Sequence, residues 1–145
     1  MKKIFIYYSN TGNGDIVAKK LESLGADIRK VITKEPLPKN KILSILTGGF
    51  KAAIGYKDKL DNFDANIKEY DEVIIGSPIW NDRLSSPINA VLSKLDLNKK
   101  VTKFILYSGS GTTKKARELI YQKYPRANII DLKEPKKYSE ELNKL

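Results

Sequence analysis

Hydroxyl, amide and glycine residues are concentrated in one short stretch, residues 9–14, which reads Ser-Asn-Thr-Gly-Asn-Gly. It follows an apolar run at residues 4–8 and precedes a helical pattern that begins near Ile16. The first N–H groups of a helix have no partner within the helix, and the helix dipole places partial positive charge there. Such a loop predicts a binding site for an anionic group such as phosphate, without a lysine. An ordinary strand–helix turn with an N-cap residue is the alternative interpretation.

Two better-known phosphate loops do not match this stretch. The loop of nucleotide hydrolases requires Gly-Lys followed by Ser or Thr, and no lysine follows Gly14. The dinucleotide-binding pattern requires a small residue where Val17 stands. If the loop binds phosphate, it belongs to another class.

Cysteine and histidine are both absent. Their absence excludes disulfides, thiol nucleophiles, Ser-His triads and most transition-metal sites. We therefore predict no catalytic side chain and no metal ligands, and any redox chemistry requires a bound cofactor.

The formal net charge is +10, from 27 basic and 17 acidic residues. Such a charge favours acidic partners, which include nucleic acid, an anionic membrane and an acidic protein. Base-specific readout favours arginine and amide side chains, and arginine is scarce here, so specific nucleic-acid binding is not predicted. Solubility and a general composition bias explain the charge most simply, with an acidic protein partner as the second explanation.

The 145 residues predict one domain. Apolar patterns predict strands at residues 2–8, 27–33, 72–76, 101–107 and 128–132, separated by helices at residues 16–24, 41–56, 86–95 and 113–124, with a short terminal helix near residues 138–145. Such alternation predicts an α/β fold with a parallel sheet and helices on both faces. No apolar run is long enough for a membrane span, and the first is too short for a signal peptide, so we expect a cytoplasmic protein. Gly48 and Gly49 predict a kink, a break or a mobile segment in the second helix, because each costs roughly 1 kcal/mol against alanine.

Five strands fit the order 2-1-3-4-5, in which ligands bind beyond the carboxyl ends of the strands. The loops after strands 1, 3 and 4, at residues 9–14, 77–82 and 108–112, should therefore meet at one edge. Trp80 lies in the second of these loops, among polar residues. We expect its indole to stack on a planar ligand rather than to fill the core.

These motifs together resemble the flavodoxin family over nearly the whole chain. Residues 9–14 resemble its phosphate loop, [ST]-x-T-G-x-T, although the last threonine is Gly14 here. Residues 76–80, Gly-Ser-Pro-Ile-Trp, resemble its second flavin loop, and residues 108–111 resemble the turn that faces the pyrimidine edge of the flavin. The resemblance implies a flavodoxin-like three-layer sandwich that binds flavin mononucleotide (FMN). The cofactor-binding residues that it implies are Ser9, Asn10, Thr11, Gly12, Asn13, Gly14, Ser77, Pro78, Ile79, Trp80, Asn81, Ser108, Gly109, Ser110 and Gly111.

The resemblance implies low-potential electron transfer to a redox partner protein, here with an acidic docking face, by a monomer or weak dimer. The alternative is an FMN-dependent NAD(P)H or quinone reductase with an open flavin face and Arg83 as the candidate substrate contact. Phe50 or Tyr56 could instead cover that face. A phosphate-accepting receiver domain is not predicted, because it requires acids at the ends of strands 1 and 3, where Tyr8-Ser9 and Gly76-Ser77 stand. DNA binding by charge alone is a fourth possibility.

Overall fold

Six strands and four helices, followed by a terminal 3-10 helix, make up residues 1–145 in a computed structural model. The strands are β1 (Lys3–Tyr7), β2 (Asp27–Lys30), β3 (Glu72–Trp80), β4 (Arg83–Leu84), β5 (Val101–Ser108) and β6 (Asn128–Lys133). The helices are α1 (Asn13–Ser23), α2 (Lys41–Ala53), α3 (Ser86–Lys94) and α4 (Lys114–Lys123), with the 3-10 helix at Ser139–Lys144. No helix combines the length and apolar character that spanning a membrane requires.

Five parallel strands form the sheet in the order β2-β1-β3-β5-β6. The predicted α/β architecture and strand order are confirmed. The central strands β1, β3 and β5 each contain a continuous apolar run because both of their faces are covered. Ile6 and Ile75 lie in one core cluster, whereas Phe5 and Ile74 lie in a second cluster on the opposite face.

β3 is longer than the sequence indicated. It continues through Trp80 and turns back into β4, with Trp80 paired to Arg83 and Ile79 to Leu84. Asn81 and Asp82 both have φ of 50°, as a tight two-residue hairpin requires. The prediction of a loop at residues 77–82 is therefore wrong for its first four residues, which are strand. The sixth, antiparallel strand was not predicted.

α2 is continuous from Lys41 to Ala53, so the predicted kink at Gly48 and Gly49 is wrong. A Cβ atom at Gly48 would lie 3.1 Å from Trp80 Cδ2, and one at Gly49 would lie 3.8 Å from Asn81 Cβ. The two glycines instead allow the helix to approach the β3–β4 hairpin closely. Only Gly48 and Ala52 of this helix are buried, and its large apolar side chains lie at the surface.

Candidate functional site

The loop between β1 and α1 presents unpaired hydrogen-bond donors. The backbone N–H groups of Gly12 and Gly14 donate to Ser9 Oγ, at 3.2 and 3.1 Å, which closes the loop on itself. Gly12 has φ of 97°, a conformation that favours glycine. The N–H groups without an acceptor in the protein are those of Asn10, Thr11, Asn13 and Asp15. They lie at the start of α1, so they form a cradle that fits the oxygens of a phosphate group.

Gly14 is the one departure from the flavodoxin phosphate loop, and its surroundings explain it. A Cβ atom there would lie 2.6 Å from the Tyr107 hydroxyl oxygen and 2.8 Å from Ser9 Cβ. Tyr107 is buried, and its hydroxyl donates to the backbone carbonyl of Tyr8. The tyrosine from β5 thus occupies the space that a threonine side chain would need.

Lys136 is the residue that sequence reasoning missed. Its ammonium donates to the Thr11 carbonyl at 3.2 Å, and its backbone N–H donates to Asn13 Oδ1 at 3.0 Å. Its Nζ would also lie 3.2 Å from a Cβ atom built on Gly12. A positive charge therefore stands beside the loop, supplied by the segment after β6. No local pattern could have found it, since 125 residues separate Lys136 from Thr11.

Asp15 adds a negative charge close to the same loop, but that charge is compensated. Its Oδ1 accepts from the Tyr7 hydroxyl and from the Lys30 ammonium, each at 2.8 Å. Burial by itself raises the pKa of Asp15, but these two hydrogen bonds outweigh it and hold that pKa below its usual value. Burial, and then the bond to Asp15, raises the pKa of the Tyr7 hydroxyl. An anion bound at the loop is therefore not opposed by an unpaired carboxylate.

Ser77 connects β3 to α3 rather than presenting its hydroxyl to a ligand. The side chain is fully buried, and its Oγ lies 3.0 Å from Ser85 Oγ. The same Oγ accepts from the Ser85 backbone N–H at 3.1 Å and donates to the Pro78 carbonyl at 2.7 Å. Pro78 and Ile79, which follow it, are half-buried. Any contact of Ser77 with a cofactor would therefore be through its backbone.

Trp80 is half-buried at the end of β3. Gly48 of α2 packs against the six-membered part of its indole. Tyr8 meets it edge-on, with ring centroids 5.8 Å apart and an interplanar angle of 87°. The neighbouring Asn81 is exposed at the hairpin turn. The indole is thus held from two sides, by α2 and by Tyr8 just after β1, while part of it remains open to a ligand.

The loop after β5 carries further free donors. Gly109 and Ser110 are exposed, and their backbone N–H groups have no acceptor in the protein. Ser108 Oγ accepts from the Gly111 N–H at 2.9 Å, which fixes the turn, and Gly111 has φ of 76°. Thr113 is the N-cap of α4, but its hydroxyl donates to Asp131 rather than capping the helix.

Hydrogen bonds tie the three predicted segments into one edge of the sheet. Tyr107 of β5 reaches Tyr8 at the start of the first loop. Asp82 in the hairpin turn accepts from the backbone N–H of Lys115, at 3.0 Å, at the start of α4. The edge therefore offers anion-binding donors at one end, an indole near the middle and free N–H groups at the other. This arrangement can hold a planar molecule that carries a phosphate.

Comparison with known proteins agrees with this geometry. The chain has 22% identity and a TM-score of 0.74 to a candidate flavoprotein from Bacteroides eggerthii DSM 20697, covering 96% of this chain and 94% of that one. It has 20% identity and a TM-score of 0.71 to a flavoprotein from Lactobacillus acidophilus NCFM solved in complex with FMN, covering 96% and 97% of the two chains. At such identities these structures establish the fold.

No curated protein sequence matches the chain. The family model described as flavodoxin, however, matches residues 2–143, which is nearly the entire sequence. A match of this extent shows the family. The chain belongs to the flavodoxin family.

Proposed function

We propose that this protein binds FMN non-covalently at the edge formed by the three segments and carries electrons between redox partners. The observation that supports this most strongly is the set of four unpaired N–H groups at the start of α1. Membership of the flavodoxin family and the FMN complex of the Lactobacillus relative agree with it. When bound, FMN supplies the redox chemistry, and the protein supplies binding, orientation and electrostatics.

Different residues of the site bind different parts of FMN. The loop N–H groups and the hydroxyl of Thr11 bind the phosphate, and Lys136 neutralises part of its charge. Ile79 and Trp80 border the ribityl chain and the ring. The N–H groups of Gly109 and Ser110 donate to the pyrimidine edge, where backbone donors stabilise negative charge.

A redox partner with an acidic docking face suits the net charge of +10, since complementary charge speeds encounter. The second candidate is a reductase that uses NAD(P)H or a quinone. It is favoured by the exposure of Gly109 and Ser110 and by the position of Phe50, which is 66% exposed. Phe50 lies about 200° around α2 from Gly48, the residue that packs on Trp80. It therefore points away from the indole and leaves the ring face open to a substrate.

The decisive experiment is to purify the protein, record its absorption spectrum and identify any released flavin by mass. The apoprotein is then titrated with FMN and riboflavin by calorimetry, with Trp80→Ala as a site variant and Tyr121→Ala, a partly exposed aromatic on α4, as its control. We expect a yellow protein that prefers FMN to riboflavin and is weakened by Trp80→Ala alone. A colourless protein that binds no added FMN would refute the proposal. Steady-state oxidation of NAD(P)H by quinones separates the reductase from the carrier, which should show negligible turnover.

A further inference from the structure

The outward half of α2 is an exposed apolar surface, which we call the α2 ridge. Its side chains are between 53% and 69% exposed, although the helix is well formed and capped by Asn40. Asn40 Oδ1 accepts from the backbone N–H groups of Ile42 and Leu43, at 3.0 and 3.1 Å. The ridge consists of Ile42, Leu43, Ile45, Leu46, Phe50 and Ile54.

The ridge is exposed because α2 packs through its opposite side. Only Gly48 and Ala52 of the helix are buried, and they lie about half a turn away from the middle of the ridge. On that inner side Lys51 pairs with the buried carboxylate of Asp58 at 2.8 Å, which anchors the helix in this orientation. Rotating the helix to bury the ridge would break this ion pair and the contact between Gly48 and Trp80.

The ridge is large for a monomeric protein. From the exposed fractions it presents roughly 700 Å², whereas the largest apolar patch on a typical monomer is 300–600 Å². A contiguous patch of this size marks a surface that contacts a partner or a membrane.

Positive charge flanks the ridge at both ends. Lys39 and Lys41 precede it, Lys57 and Lys59 follow it, and all four are exposed and free of ion pairs. Over positions 34–59 the acidic residues are Glu35 and Asp58, and the carboxylate of Asp58 is buried and paired with Lys51. A second copy of the chain would bring the same lysines, and another net charge of +10, against this surface. Like charges oppose that pairing, whereas an anionic surface is attracted.

We propose that the α2 ridge is a peripheral membrane-binding element that inserts its apolar side chains between anionic lipids. A helix with one apolar half and basic flanks lies in the plane of the interface, and its binding depends on both buried apolar area and anionic headgroups. The lysines at the two ends of α2 are placed to contact lipid phosphates while the ridge enters the acyl boundary. The proposal is independent of FMN, because no ridge residue lies in the cofactor site.

Sedimentation with lipid vesicles tests the proposal on the full chain. Vesicles of equimolar phosphatidylglycerol and phosphatidylcholine are compared with vesicles of phosphatidylcholine alone, with and without FMN. We expect binding only to the anionic vesicles, weakened by salt and unchanged by FMN. The ridge variant is Ile42→Gln/Leu46→Gln/Phe50→Gln, since glutamine preserves helix propensity. We expect it to bind at least about tenfold more weakly.

Matched controls separate the ridge from general apolar or charge effects. Leu24→Gln/Ile32→Gln/Val101→Gln removes three side chains of similar exposure, 54%, 49% and 53%, from other surfaces and should bind like the wild type. Lys41→Gln/Lys57→Gln should lose about fivefold for each lysine. Lys94→Gln/Lys99→Gln, which removes two exposed lysines outside α2, should lose less.

Three results would overturn the proposal. The first is an absence of binding to anionic vesicles. If sedimentation equilibrium then shows a dimer that depends on the ridge, the ridge is assigned to contact with a second copy instead. The second is equal binding to both kinds of vesicle, which would remove the role of charge. The third is equal loss in the ridge variant and its control. Far-ultraviolet circular dichroism confirms that each variant is folded.

Discussion

Replacing Lys136 with glutamine should weaken the binding of FMN while leaving the binding of riboflavin unchanged. Lys136 Nζ lies 3.2 Å from the Thr11 carbonyl, within the loop whose free N–H groups we assign to the phosphate. Riboflavin has no phosphate, so the ammonium has no charge to neutralise in that complex. The backbone N–H of Lys136, which donates to Asn13 Oδ1, is present in every such variant. The loop should therefore keep its shape.

The expected magnitude follows from the exposure of the lysine. A hydrogen bond to a charged group contributes about 1.5–3 kcal/mol when protected from water, whereas an exposed ion pair contributes about 0–1 kcal/mol. Lys136 is exposed but already held at the loop, so an intermediate value of about 1–2 kcal/mol applies. This corresponds to an FMN affinity about 5- to 30-fold lower. Calorimetric titration of the apoprotein with each flavin measures both affinities.

Two further variants make this test specific. Lys137→Gln removes the same charge from the adjacent position, where the ammonium lies over the Tyr138 ring at 5.3 Å, and should change FMN binding less than twofold. Lys136→Arg keeps the charge and should bind nearly as well as the wild type. Lys136 has no specific role at the phosphate if Lys136→Gln weakens riboflavin binding as much as FMN binding, or if Lys137→Gln has an equal effect.

Three other outcomes follow from the site. Gly14→Thr, which restores the usual family residue, should lower the free energy of unfolding by about 1–3 kcal/mol, measured with urea, because its Cβ would lie 2.6 Å from the Tyr107 hydroxyl oxygen; unchanged stability would contradict this packing. The lowered pKa of Asp15 means that its ion pair stabilises the fold above the ordinary value of 3.8 and is lost as the pH falls below it. In Asp15→Asn, the loss of unfolding free energy between neutral and acidic pH should therefore be smaller than in the wild type, by less than about 1 kcal/mol. An unchanged pH dependence of the unfolding free energy would refute this. The second reduction of bound flavin should be easier than in acidic relatives, because the net charge of +10 favours the anionic reduced flavin. Its potential should fall in high salt as that charge is screened, and a potential that does not change with salt in potentiometry would contradict this.

The sequence predicted the edge of the sheet well because topology alone brings it together. Buried strands are continuous apolar runs, and in a parallel sheet their carboxyl ends must meet. The segments at the carboxyl ends of β1, β3 and β5 are therefore neighbours whatever their side chains do. The end of β3 was harder to predict, because the sequence pattern of residues 77–82 resembles a single polar loop. It does not separate the end of the strand from the turn at Asn81 and Asp82.

Contacts between residues distant in sequence could not be predicted in the same way. Helix propensity predicts that Gly48 destabilises the helix, and only the packing of Trp80 against the helix shows why a glycine fits there. Periodicity revealed that α2 is amphipathic but not which side faces the protein, and the buried Lys51–Asp58 pair decides that. Lys136 is one of many scattered lysines until the chain folds back on its first loop.

Trp80 also provides an intrinsic fluorescence probe. It is the only tryptophan of the chain, so all indole fluorescence comes from the point where α2, β1 and the proposed flavin site meet. A flavin beside it should quench the emission by energy transfer, while lipid contact of the adjacent α2 should change the emission wavelength without such quenching. Tryptophan fluorescence of a single unlabelled sample can therefore follow cofactor binding through its intensity and lipid contact through its wavelength.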